Sequence, residues 1–152
     1  MNWTNGHVSP DANAVARPWL GIGALGGLLS VALGAFAAHA LGARIDAELL
    51  ATWETATDYL GLHALALLLC GLLLLQRPGV LLIRAAAWGF LIGTLVFSGS
   101  LYLLVLTETR TWGAVTPLGG IALIAAWALL AAGSWRGLRP AGKGSDRSHG
   151  DA

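Results

Sequence analysis

Four long stretches without a formal charge decide most of what this chain can fold into. Pro18 to Ala43, Tyr59 to Gln76, Ala85 to Thr107 and Thr111 to Trp135 contain no Asp, Glu, Lys or Arg. A bilayer core about 30 Å thick is crossed by about 20 apolar helical residues. Each stretch is long enough, the second only just. Within them the apolar residues surround a helix instead of forming one stripe, as helices do when they face lipid. The whole chain agrees, being 56% hydrophobic and only 11% charged with a mean hydropathy of +0.68. An ordinary soluble domain carries about 25% charged residues.

The length of 152 residues allows one small domain. Arg77, Pro78 and Gly79 make a tight turn, and Glu108, Thr109 and Arg110 form another short link. Both place consecutive spans side by side and antiparallel. Arg44 to Asp58 is the only long external link, and in it Ile45, Leu49 and Trp53 recur every four residues while Glu48, Thr52 and Thr55 take another side. That pattern predicts a short amphipathic helix on the membrane surface. Asp46 and Glu48 near its start suit the positive end of the helix dipole. The expected fold is an all-α integral membrane protein: a bundle of four transmembrane helices with a short amphipathic external helix between spans 1 and 2. Residues 1–17 are expected to be a disordered cytoplasmic N-terminus, 18–136 the membrane domain, and 137–152 a disordered basic tail.

Orientation follows from the basic residues. With both termini cytoplasmic, that side holds Arg17, Arg77, Arg84, Arg136, Arg139, Lys143 and Arg147, against Arg44 and Arg110 outside. Trp19, Trp88, Trp112 and Trp135 lie near span ends, where indole rings prefer to sit. Ala38-His39-Ala40 has the small-x-small form of a signal-peptide cleavage site. The apolar stretch before it is longer than the usual 7–15 residues or so, which favours retention of the span. A net charge of +1 gives no reason to expect a nucleic-acid partner. Cys70 is the only cysteine, which excludes a disulfide within one chain and suits a buried packing role.

Polar residues interrupt all four spans at similar expected depths. His39 falls about one turn before the outer end of the first span, and His63 about one turn inside the second. Ser98, Ser100 and Tyr102 lie one to two turns from the outer end of the third, and Thr116 and Pro117 one turn into the fourth. At about 1.5 Å per residue, all sit roughly 5–13 Å below the outer surface. They are therefore expected to converge in one buried layer. Thr55, Tyr59 and His63 share a helix face; Glu54 and Asp58 share another. Glu48, Glu54 and Asp58 are expected to form a water-facing acidic rim, with Tyr59 and His63 in the layer. Pro117 cannot donate a backbone bond and would free the carbonyl of Gly113. Gly26, Ser30 and Gly34 form a small-residue stripe and Gly89 with Gly93 a GxxxG, packing faces either within the bundle or between protomers. Gly99, in the Ser-Gly-Ser run, is assigned to packing too.

"GAFAAHAL" (Gly34 to Leu41), "WETATDYLGLHALAL" (Trp53 to Leu67), "VFSGSLYLL" (Val96 to Leu104) and "WGAVTPLGGIALIAAW" (Trp112 to Trp127) resemble the four signatures of the domain of unknown function 423. These are the YgdD-like bacterial inner-membrane proteins, similar also to eukaryotic transmembrane protein 256. The resemblance spans roughly Pro18 to Arg136 and implies a multi-pass protein of the bacterial inner membrane. Its distinctive positions fall on Gly34, His39, Tyr59, His63, Ser98, Gly99, Ser100, Tyr102, Thr116, Pro117 and Gly120, the last another packing glycine. Ala37 stands where glycine is common in the family. The resemblance supplies no activity and no catalytic residues.

Zinc or haem would need more ligands than His39 and His63, so no metal and no cofactor is expected. A hydrolase built from Ser98 or Ser100 with His63 and Asp58 lacks a strained nucleophile elbow, and no enzymatic activity is expected. A proton or small-solute pathway is the main alternative, because intramembrane ionisable residues are functional candidates by default. The inner halves of the spans, however, offer no ionisable residue to complete a relay. The residues favour a structural or accessory membrane protein, with the bilayer as its solvent, the polar layer as interhelical glue, and a membrane protein partner or a second copy at the acidic rim.

Overall fold

The first helix starts where its sequence supplies a start signal, at Pro10, in a computed structural model that describes residues 10–137. Proline is pre-organised for a first turn, and Asp11 places a carboxylate at the positive end of the dipole. Residues 10–17, expected to be disordered, are therefore helical, and Ala12 and Ala16 are buried. The expectations for residues 1–9 and for the basic tail from 138 onward lie outside the described residues. Helix α1 runs over Pro10–Phe36 and ends in a π turn, Ala37–Leu41. It is followed by α2 (Ala47–Gln76), α3 (Leu81–Thr107), a 3-10 turn (Arg110–Ala114) and α4 (Thr116–Gly137). All four helices, with their adjoining turns, are long and apolar enough to cross a membrane. Leu28, Val31, Leu65, Leu95 and Ile124 are among many large apolar side chains left exposed, a surface that suits lipid and not water.

The amphipathic segment is helical, but it is the first turns of α2 and not a separate surface helix. Asp46 caps it, its carboxylate accepting the Leu49 amide at 2.8 Å. No proline follows to break the ladder before the second span. Its apolar side meets protein: Ile45, Leu49 and Leu50 pack on Ala37, Leu41, Trp53 and Val105. Pro117 is likewise not a mid-span break. It lies in the first turn of α4, just after the 3-10 turn, where a missing N–H costs nothing. The opposite end of that loop uses Glu108 in the left-handed region (φ 53°) to stop α3.

Helix α1 packs on α2, α2 on α3 and α3 on α4, with α1 and α4 nearly apart. Small residues set these seams. A Cβ on Gly26 would lie 3.0 Å from that of Ala64, and one on Gly61 would lie 2.7 Å from the Ser30 hydroxyl. Gly89 and Gly93 both face α4, where a Cβ would strike Ala126 and Leu123 at 2.9 and 2.7 Å. The GxxxG is thus consumed inside the chain. Gly34 and Gly120 have room for a Cβ, and nothing lies within 4 Å of one on Gly99, so those three are not close-packing sites. Gly119 takes that role: a Cβ there would lie 2.5 Å from the Phe97 amide nitrogen. The main core gathers Cys70, Leu74, Ile83, Phe90 and Leu123.

Candidate functional site

The polar residues that pair between helices form three groups, the first two at nearly the same height on α3 and the third further along α2. The first ties α1, α2 and α3 together near the end of the bundle where α1 turns into α2. Trp53, fully enclosed, donates its indole N–H to the Leu33 carbonyl at 3.1 Å, and the Ser30 hydroxyl donates to the Thr57 carbonyl at 3.1 Å. Thr57 gives its own proton to the Trp53 carbonyl at 2.9 Å. Its oxygen therefore accepts from the Tyr102 hydroxyl, 3.0 Å away. Tyr102 also packs on the Trp53 ring, with centroids 4.6 Å apart. Thr57 and Trp53 were absent from the expected layer. Their spacing of four on the face opposite Asp58 was the signal available in the sequence.

The second group is Ser100 and Thr116. Ser100 donates to the Phe97 carbonyl at 2.9 Å, which leaves its oxygen to accept from Thr116 at 2.8 Å. This bond staples the start of α4 to α3. Ser98 is buried beside it but makes no hydrogen bond among the described residues, and neither does the hydroxyl of Thr94 one turn below.

The third group lies deeper. His63 is about 24 Å along α2 from Ala47 and about 20 Å from Gln76, so it sits near the middle of that helix. The three helical turns of α2 before Tyr59 carry the exposed Glu48, Glu54 and Asp58. Trp127 of α4 donates its indole N–H to Nε2 of His63 at 3.3 Å. Nε2 is therefore unprotonated, and Nδ1 carries the proton and donates it to the Tyr59 carbonyl at 2.7 Å. Both ring nitrogens are engaged, and the imidazole is neutral. Phe90 and Trp127 meet edge to face at 4.9 Å around it. Tyr59 leans outward and stacks on Phe97 at 4.2 Å and 21°. Trp127 had no place in the expected layer, since its indole reads in sequence as one more apolar span residue.

His39 does not join any group. Ala37 and Leu41 of the π turn are buried, and His39, two residues from each, projects from the opposite side and is exposed. Glu48, Glu54 and Asp58 are exposed along α2. Of these only Glu48 lines a cleft of about 350 Å³, together with Asp46, Glu108 and Arg110. No group of three His, Cys, Asp or Glu side chains suited to a metal exists among the described residues.

Comparison with known proteins bears on this arrangement directly. Residues 33–120 match the model of a family described as a protein of unknown function, DUF423. The chain belongs to the DUF423 family. It is 40% identical to the UPF0382 membrane protein YwdK of Bacillus subtilis, over 72% of this chain and 89% of that one. It is 37% identical to the UPF0382 inner membrane protein YgdD of Escherichia coli K12, over 74% and 86% respectively. No solved structure matches. The DUF423 segment runs from the last turn of α1 to the start of α4. It therefore contains the Trp53–Thr57–Tyr102 and Ser100–Thr116 groups and His63, and ends before Trp127. With four apolar helices and relatives of this kind, this DUF423 chain is a membrane protein whose surroundings are lipid.

Proposed function

We propose that this chain is a non-enzymatic structural or accessory protein of the bacterial inner membrane, with both termini in the cytoplasm and its acidic outer face turned to a membrane protein partner. The engagement of both His63 nitrogens within the chain carries this reading. An imidazole that accepts from Trp127 and donates to Tyr59 has no lone pair or proton left for a substrate. The hydroxyls of Ser100, Thr57 and Tyr102 are likewise spent on helix contacts. Polar groups used in this way act as glue between helices in lipid, at about 0.6 kcal/mol per bond. The seven-to-two distribution of basic residues supports the cytoplasmic termini. A proton pathway has less support, since Cys70 is the one titratable side chain between His63 and Gln76 on α2, and α4 has none from Thr116 to Trp135.

Purification from the membrane in mild detergent, followed by mass spectrometry, tests this reading. A membrane protein recovered in stoichiometric amount, and lost when Glu48, Glu54 and Asp58 are changed together to Gln, Gln and Asn, is the expected result. Turnover of a co-purified metabolite would overturn it.

A further inference from the structure

Between α2, α3 and α4 a cavity of about 250 Å³ opens sideways toward lipid, lined by Tyr59, Leu62, Phe97, Gly120, Ile124 and Trp127 with His63 at its back. The cavity is near the lower end of the range for small-ligand sites, room for one substituted ring and not for a nucleotide or a haem. Its position within the span restricts any occupant to compounds dissolved in the bilayer. Three features narrow the chemistry. Its walls are largely aromatic: the Tyr59 and Phe97 rings stack on each other at 4.2 Å, and Trp127 is tied to His63 by its indole N–H. Aromatic walls favour a planar ring. Its mouth is aliphatic, with Leu62 and Ile124 both exposed, which suits a hydrocarbon tail leaving into lipid. Its free hydrogen-bonding capacity is single. The nitrogens of His63 and Trp127 are occupied, whereas the Tyr59 hydroxyl makes no hydrogen bond among the described residues. Tyr59 lines the cavity and is part-exposed, so its phenol, without a partner among the described residues, is a donor open to an acceptor.

We infer that this cavity binds the ring of a lipid-soluble quinone, its carbonyl accepting the Tyr59 hydroxyl and its tail passing between Leu62 and Ile124. His63 is then a positioning residue: it fixes the Trp127 wall and does not itself touch the ring's oxygens. Gly120 keeps the cavity open, since a Cβ there fits at 3.8 Å from the Phe97 ring but a longer side chain would occupy the space. The inference stands apart from the accessory role, because a quinone site needs no partner protein and a docked partner needs no quinone.

Calorimetric titration of the purified protein in detergent with decylubiquinone tests it, after subtraction of the heat of partition into empty micelles. The expected result is saturable binding of one quinone per chain. Tyr59→Phe keeps the ring stack but removes the donor, and should weaken binding about fivefold. Gly120→Leu fills the cavity and should abolish binding with little change in thermal unfolding. Should that variant fail to fold, Leu62→Trp closes the mouth from an exposed position and should do the same. Absence of saturable binding to the unaltered chain overturns the inference. So does equal competition by a saturated decyl alcohol, which would mark a groove for acyl chains, or binding that survives both filling substitutions.

Discussion

The His63–Trp127 bond is the contact on which the deep part of the bundle can be tested. His63→Leu leaves the Trp127 indole N–H without an acceptor. In a protein interior a stranded donor costs about 1–3 kcal/mol, but Trp127 is 41% exposed and can turn its N–H away from the core. The cost should therefore fall near 1 kcal/mol. The reverse change, Trp127→Phe, strands Nε2 of a histidine that is only 2% exposed and cannot turn, because Nδ1 is tied to the Tyr59 carbonyl at 2.7 Å. It also weakens the edge-to-face contact with Phe90, and pairs of that kind contribute about 0.5–1.5 kcal/mol. Trp127→Phe should cost about 2 kcal/mol and exceed His63→Leu. The double variant removes both partners at once, so it should cost less than the two singles added, by about 0.6–1.7 kcal/mol. Reversible unfolding in mixed micelles, followed by helicity, measures all four proteins. Glu54→Gln, on the exposed face of α2, serves as the control and should stay within about 0.5 kcal/mol of the parent. Additive single effects would show that the two rings do not hold each other. A Glu54 change more damaging than the His63 change would refute the placement of His63 at the centre of the bundle.

Three further outcomes are expected. Gly119→Ala, whose Cβ would lie 2.5 Å from the Phe97 backbone, should destabilise the α3–α4 seam by about 2 kcal/mol or more. Gly27→Ala, with nothing within 4 Å, should instead be neutral or stabilise by about 0.5 kcal/mol through helix propensity; equal effects in thermal unfolding would contradict these seams. A reporter active only outside the cytoplasm, fused after Ala152, should give no signal, and strong activity would reverse the topology. Elemental analysis of purified protein should find no stoichiometric zinc or iron; one ion per chain, lost in His39→Ala or His63→Ala, would contradict the reading of both histidines.

What the sequence determined alone was the solvent and the number of crossings. Charge-free runs of about 20 residues, divided by Arg77-Pro78-Gly79 and Glu108-Thr109-Arg110, have one economical arrangement, because lipid cannot satisfy an open backbone. The family resemblance, carried by four motifs in order, was legible for the same reason: it depends on residue identity and spacing. Depth and facing were not. His39, Tyr59 and His63 were placed by counting from predicted span ends, whereas which of them meets a neighbouring helix is set by packing. His39 fell outside because a π turn buries Ala37 and Leu41 and aims it away. Ser98 is buried without a partner among the described residues, while Thr57 and Trp127, which a composition reading treats as ordinary helix residues, hold the two central bonds. Sequence spacing says which residues share a face of one helix. Which face meets which neighbour depends on how closely two backbones approach, and glycines such as Gly61, Gly93 and Gly119 decide that only when opposed to a particular residue on the next helix.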